Sequence, residues 1–234
     1  VLLSETFDGD ADGWTFGLPT DDATTGNWEA GDPQGTSAQP ATGSDDLLCA
    51  ATGLANFGSL GGNDIDDGRT TLVTPAFDLS GSNSARLDYQ RWYSNTTGAA
   101  PAADVFAVEV STDGVTWTLI DLAGPTSENS GGWVSVSRAF DTSTLGDAVQ
   151  VRFVASDLGS GSLVEAAIDE VRVIATQCVA CPADIDGDGQ TTARDVLEFI
   201  QRFRAGGAAA DYTRDGQTNS SDLLAYIDAF RSGC

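Results

Sequence analysis

Asp184, Asp186 and Asp188 alternate along the stretch CPADIDGDGQTTARD and Asp195 closes it, so four carboxylates fall within twelve residues. Like charges that close repel unless a cation sits among them. The order is that of a calcium loop. Asp184, Asp186 and Asp188 take positions 1, 3 and 5, Gly189 at 6 allows the sharp turn, Gln190 at 7 offers its carbonyl, and Thr192 and Asp195 fall at 9 and 12. So many protein oxygens suit Ca²⁺ better than Mg²⁺, which tends to keep its water. A fainter copy, DYTRDGQTNSSD, sets Asp211, Thr213, Asp215, Gln217, Asn219 and Asp222 at the same six positions. Thr213 stands where a carboxylate or amide is usual, so the second loop is expected to bind more weakly. The competing reading makes both stretches Asp-rich turns, with Asp195 and Asp222 as helix N-terminal residues favoured by the dipole; the complete spacing favours the ion.

Each loop runs into a helical pattern. DVLEFIQRF places Val196, Leu197, Phe199, Ile200 and Phe203 on one stripe, and DLLAYIDAF places Leu223, Leu224, Tyr226, Ile227 and Phe230 on its equivalent. Asp184 aligns with Asp211 and Asp195 with Asp222, a tandem repeat of 27 residues. Residues 1–176 read differently. ARLDYQRWY, DVFAVEVS, VTWTLID, WVSVSRAF, AVQVRFVAS and AAIDEVRVIA alternate with period two between Gly, Pro, Asp, Asn and Ser, and Asp113-Gly114 suits a tight hairpin. The expected fold is mainly β: an antiparallel jelly-roll β-sandwich over 1–176, a Cys-containing linker over 177–181 and a small helical calcium-binding domain over 182–234. Between Asp8 and Thr70 long loops are expected, anchored by Trp14, Trp28, Leu47, Leu48 and Phe57.

The chain has 234 residues, 35 acidic against 11 basic, for a net charge of -24, and every basic residue is Arg. Nucleic acid and anionic membrane surfaces are poor partners for such a charge, and divalent cations are good ones. Half of the excess acidity is equally well explained as surface chemistry suited to salt. The sequence has no His and no Met, which removes the commonest general base and the imidazole metal ligand. No stretch resembles an apolar span of about 20 residues, and Val1 opens on strand-like sequence, as expected of a chain from which any signal peptide has gone. Cys49, Cys178, Cys181 and Cys234 allow three pairings. Position favours Cys181 with Cys234, stapling the tail, and Cys178 with Cys49. The Cys178–Cys181 CxxC lacks the helix of a redox motif and the second half of a zinc site. Asn95, in NTT, matches a glycosylation acceptor; Asn219, in NSS, lies inside a calcium loop.

Two calcium loops each followed by a helix, no helix entering the first, and Asp at position 12 resemble a dockerin domain. CPAD and the closing GC are similar to the dockerin-like C-terminal modules of secreted proteins from planctomycete-type bacteria. The resemblance implies two calcium ions and a β-sandwich partner, cohesin, bound through positions 10 and 11 of each loop. Here those are Ala193 and Arg194, then Ser220 and Ser221, two unlike pairs that leave the partner open. ETFDGDADGW, LVTPAFDLSG, VEVSTDGVTW, VQVRF and AAIDEVRV resemble MAM-like and carbohydrate-binding-module-like jelly rolls, which implies a further structural calcium held by Glu5 and Asp169. DGDADG is read as an exposed acidic turn.

No nucleophile, base or catalytic metal forms a recognisable constellation, and the seven Glu stand in no glycosidase motif. The expected function is non-catalytic: an extracellular anchoring protein whose tail docks on a β-sandwich, either a cohesin-like domain or the jelly roll of the next copy, the latter building a filament. The alternative is a glycan-binding module using Trp14, Trp28, Trp92, Trp117 or Trp133, and the exposure of those rings discriminates between the two.

Overall fold

A computed structural model describes residues 1–54, 61–141, 144, 146–159, 161–176, 181–188 and 190–232. The chain divides into two compact units, Val1–Thr176 and Gln177–Cys234.

The first unit is a two-sheet antiparallel sandwich with eleven strands among the described residues: β1 (Leu3–Glu5), β2 (Thr15–Phe16), β3 (Trp28–Gly31), β4 (Cys49–Thr52), β5 (Gly68–Val73), β6 (Ser84–Gly98), β7 (Phe106–Ser111), β8 (Thr118–Ala123), β9 (Val134–Ala139), β10 (Gln150–Asp157) and β11 (Ser162–Thr176). One sheet runs β3-β4-β11-β6-β9, with β1 also on β11, and the other runs β2-β5-β10-β7-β8. The six alternating runs all form strands. Their inward residues build one core, with Leu87 and Tyr89 of β6, Val108 of β7, Phe153 of β10 and Ile168 of β11 among its members. Asp113 and Gly114 make the β7–β8 turn: Gly114 takes φ +69 and the Asp113 carboxylate accepts from Val115 and Thr116 N–H.

Strand β11 breaks its own period. Ala166 and Ile168 face inward, then Val171 and Val173, because a register irregularity between Asp169 and Arg172 inserts a residue, with Glu170 at φ +50. At that bulge β11 exchanges its edge partner, β4 at Ala167–Ile168 for β1 at Val171–Val173. Asp169 is therefore caught, fully buried, at the junction of three strands.

Three expectations are corrected. Leu47 is 64% exposed and anchors nothing, although Trp14 and Trp28 do enter the core; Phe57 lies outside the described residues. Cys49 is a buried free thiol, packed with Ala51 and Ala167 on the outer side of its sheet, so the expected bridge to Cys178 is not made. Cys181 is disulfide-bonded, to a partner outside the described residues, where both Cys178 and Cys234 lie. Asn95 is fully buried and its Nδ2 donates to the Asp104 carbonyl at 3.1 Å, so it is closed to a glycan in the folded chain.

In the second unit α1 (Ala193–Ala205) and α2 (Ser220–Ser232) follow the two acidic loops, joined through a short 3₁₀ turn at Ala208–Ala210. Phe199 and Tyr226, one repeat apart, stack with centroids 4.1 Å apart and planes at 13°. With Ala183 they form the buried centre of this unit, surrounded by Ile185, Val196, Phe203, Leu223, Ile227 and Phe230. No helix among the described residues is long and apolar enough to cross a membrane.

Candidate calcium centres

Asp184, Asp186 and Asp188 bring carboxylate oxygens within 4.8 Å of one another, the one convergent group of three acidic residues among the described residues. Local turns place them. Asp184 Oδ1 accepts from Gly187 N–H at 2.8 Å, Asp186 Oδ1 from Asp188 N–H at 3.2 Å and Asp188 Oδ1 from Gln190 N–H at 2.9 Å. Each bond bends the backbone back on its own carboxylate and leaves other lone pairs for an ion. Three hard oxygens gathered by the loop's own hydrogen bonds fit calcium.

Asp195 closes the loop from inside. It is fully buried; Oδ1 accepts from Ile185 N–H at 2.8 Å and Oδ2 from Thr192 N–H at 2.8 Å, while the Thr192 hydroxyl accepts from Arg194 N–H to cap α1. The Thr192 N–H, ahead of those of Asp186 and Ile185, holds the Asp195 carboxyl below its ordinary range against the opposing effect of burial. The helix N-terminal reading and the ion reading are thus compatible in one side chain.

The second loop repeats the scaffold with fewer charges. Asp222 is fully buried and accepts from Asn219 N–H at 2.8 Å and Thr213 N–H at 2.9 Å, while Asp211 accepts from Asp215 and Gly216 N–H. Gln217 N–H donates to Asp215, and Asn219 Oδ1 accepts from Ser221 N–H. Thr213 does not offer its hydroxyl outward: Oγ1 donates to Asp222 Oδ1 at 2.9 Å. Position 3 has become part of the loop's internal bracing.

Ala193, Arg194, Ser220 and Ser221 are all exposed at the starts of the two helices. Sequence periodicity assigned Leu197 and Leu224 to the buried stripe, yet they are 61% and 64% exposed and lie one repeat apart. A stripe with two adjacent apolar positions is wider than the face a two-helix unit can cover, and the outer member of each pair is left in solvent. Arg194 Nε lies 3.0 Å from Asp186 Oδ2, tying position 11 of the loop to one of its carboxylates.

In the sandwich, Asp169 Oδ2 accepts from Ser44 N–H at 2.7 Å and Oδ1 from Glu170 N–H at 2.7 Å, and burial raises its carboxyl. Glu5 turns back on its own chain, accepting from Thr6 and Phe7 N–H. Acidic neighbours crowd the bulge. A hydrogen bond shared with Asp8 raises Asp46, and burial followed by a hydrogen bond shared with Asp45 raises Glu170.

The outward face of the six-stranded sheet is polar, a shallow groove lined by Arg86, Asp88, Gln90, Ser135, Ser137 and Arg172. Trp92 and Trp133 stand at its end in a T-shaped pair 6.0 Å apart, their indole N–H groups given to Ala38 and Thr42 carbonyls. Trp14 and Trp28 are core, and the Arg152 guanidinium covers Trp117 at 4.4 Å. None of the five Trp is a freely exposed platform.

Residues 182–231 match the family described as Dockerin type I domain. No curated protein matches the chain. Among solved structures, the K1 cleaved adhesin domain of Lys-gingipain from Porphyromonas gingivalis W83 is 20% identical and superposes with a TM-score of 0.52, over 75% of this chain and 99% of that one. A TmCBM61 structure in complex with β-1,4-galactotriose is 14% identical over 73% of this chain and 94% of that one, with a TM-score of 0.44. The chain therefore carries a C-terminal dockerin type I domain after a β-sandwich that shares the fold of the gingipain adhesin domain.

Proposed function

We propose that the protein is a non-catalytic extracellular attachment part whose calcium-loaded tail docks on a β-sandwich surface. The observation that carries this is the pair of exposed leucines, Leu197 and Leu224, placed one repeat apart beside Ala193, Arg194, Ser220 and Ser221. Each is an apolar contact point on a face otherwise small and polar, a composition suited to a docking patch. Calcium at both loops would preorganise that face. Because Arg194 pairs with Asp186, an ion entering the first loop competes for the carboxylate and frees the guanidinium for a partner. A further structural calcium at the β11 bulge, near Asp169 and Glu5, is supported by the acidic residues gathered there.

The partner is a cohesin-like domain or the sandwich of another copy, and the second case makes a filament, since a head-to-tail contact propagates unless it closes. Electron microscopy and light scattering of the purified chain, with calcium and then with excess chelator, test it. Calcium-dependent polymers lost on Leu197→Asp with Leu224→Asp support self-docking. Monodisperse chains in both conditions remove it and leave a separate cohesin-like partner.

A second reading, glycan binding, is favoured by the polar groove along Asp88, Gln90, Ser135 and Arg172 with Trp92 and Trp133 at its end. Its test is a glycan array with the intact chain and with Gln90→Ala. Equal binding by the two would move any glycan site away from this face.

A further inference from the structure

Buried acceptor oxygens short of donors collect at one end of the sandwich, away from the β11 bulge. Asn95, at the end of β6, is fully buried with Oδ1 unpartnered. Asp104, just before β7, is 3% exposed; Leu158 N–H serves its Oδ1 at 2.9 Å and nothing serves Oδ2. Asp157, closing β10, is 1% exposed; Gly159 N–H serves Oδ1 at 3.2 Å and nothing serves Oδ2. Asp64, ahead of β5, is 2% exposed and takes only weak help from its own N–H and that of Val164.

Strand pairing brings Asp104 and Asp157 side by side. Strand β10 pairs with β5 and β7, so its last residue, Asp157, meets Gly68 on one side, two residues beyond the Ala155–Phe106 pair on the other. Asn95 Nδ2 donates to the Asp104 carbonyl, which fixes its amide beside that residue. The Tyr93 hydroxyl, itself buried, lies within hydrogen-bonding reach of the Asn95 side chain and feels both the Asp104 and the Asp157 carboxylates. Asp64 feels the charge of Asp157. Burial is the main cause that lifts both Asp64 and Asp157 to about 6, with Asp66 and Asp104 as the leading charged neighbours respectively.

Among the described residues of the sandwich no cationic side chain is recorded against them. The six arginines of the sandwich are engaged elsewhere: Arg69 with Thr20, Arg86 with Asp88, Arg91 and Arg138 with Asp121, Arg152 with Glu109 and Arg172 with Glu170. Unpaired buried carboxylates are costly, and buried acceptors that outnumber the one nearby donor, the Tyr93 hydroxyl, suit a cation. Two carboxylate oxygens and an amide oxygen, all hard, match Ca²⁺.

We propose that Asp104 Oδ2, Asp157 Oδ2 and Asn95 Oδ1 form a calcium site inside the sandwich, with Asp64 as an outer carboxylate. The ion locks the end of β6 and the loops before β5 and β7 to the end of β10. It is independent of the tail and of the Glu5–Asp169 region. The NTT motif at Asn95 then has a structural use in place of a sugar.

The test is calcium stoichiometry of the full chain by native mass spectrometry and elemental analysis. Asp104→Asn with Asp157→Asn should lose one calcium per chain, while the calcium-dependent helix signal of the tail is unchanged and Glu5→Gln with Asp169→Asn keeps this equivalent. Unchanged stoichiometry in the first variant overturns the site. Should that variant not fold, the unaltered chain crystallised with calcium decides by anomalous scattering. A calcium peak between Asp104, Asp157 and Asn95 establishes the site, and a water or no density there overturns it.

Discussion

Single buried charges in this protein have measurable consequences. Glu165 is 7% exposed, its Oε2 accepting from the Thr52 hydroxyl at 2.7 Å, and burial pushes its carboxyl up to about 8 despite that bond and one from Gln39. Between its ordinary value of 4.5 and about 8 the folded chain holds a proton that the unfolded chain has released, so stability falls as pH rises through this window. Glu165→Gln removes the cost. The variant should melt higher than the parent at pH 8 by ~2 kcal/mol, about 5 °C, with the gap closed near pH 5; thermal melts across that range check it, and a constant gap would refute the linkage. Asp121 makes the opposite case. It is 6% exposed and joins the Tyr89 hydroxyl, Arg91 and Arg138, and Arg91 is itself 1% exposed. Asp121→Ala strands the buried guanidinium on Glu128 alone and should cost ~3 kcal/mol in denaturant unfolding.

At the scale of elements, each loop-helix unit is completed by its own position-12 carboxylate and by the other unit's aromatic ring. In Thr213→Asp, position 3 of the second loop gains a charge and loses the bond to Asp222. Calorimetry should show the weaker calcium equivalent tightening by about tenfold, ~1.4 kcal/mol; an unchanged affinity would mean that position 3 does not reach the ion. Phe199→Ala removes one half of the Phe199–Tyr226 stack and should cost ~3 kcal/mol of tail stability, read from calcium-dependent helicity. The same elements show what a sequence discloses. Strands β6 to β11 and helices α1 and α2 were legible because period two and period 3.6 encode which side is covered. The β11 bulge was not, since one inserted residue reverses the parity without marking its position. Asn95 and Leu197 show the limit at sites: a glycosylation triplet carries no information on burial, and an apolar stripe does not state how wide a face its partner can cover. The first calcium loop was readable because its ligands are local in sequence, whereas Asp104 and Asp157 are brought near one another only through the pairing of β7 with β10.

For the whole molecule, charge constrains what it can dock on. Two copies each carrying -24 repel, and docking of the tail on another copy's sandwich must overcome that field. The Debye length falls from about 30 Å at 0.01 M salt to about 8 Å at 0.15 M, so added monovalent salt screens the repulsion while loops saturated with calcium stay loaded. Self-association at fixed calcium should therefore become faster and stronger as sodium chloride rises from about 0.05 to 0.5 M, measured by light scattering. A separate partner with a basic docking face would respond in the opposite sense, losing on-rate with salt. Association with copies of itself that weakened steadily with salt would contradict docking between like-charged surfaces. It would place the attraction in a local patch, with Arg194, free of Asp186 once the first loop is loaded, as the residue to exchange for Gln next.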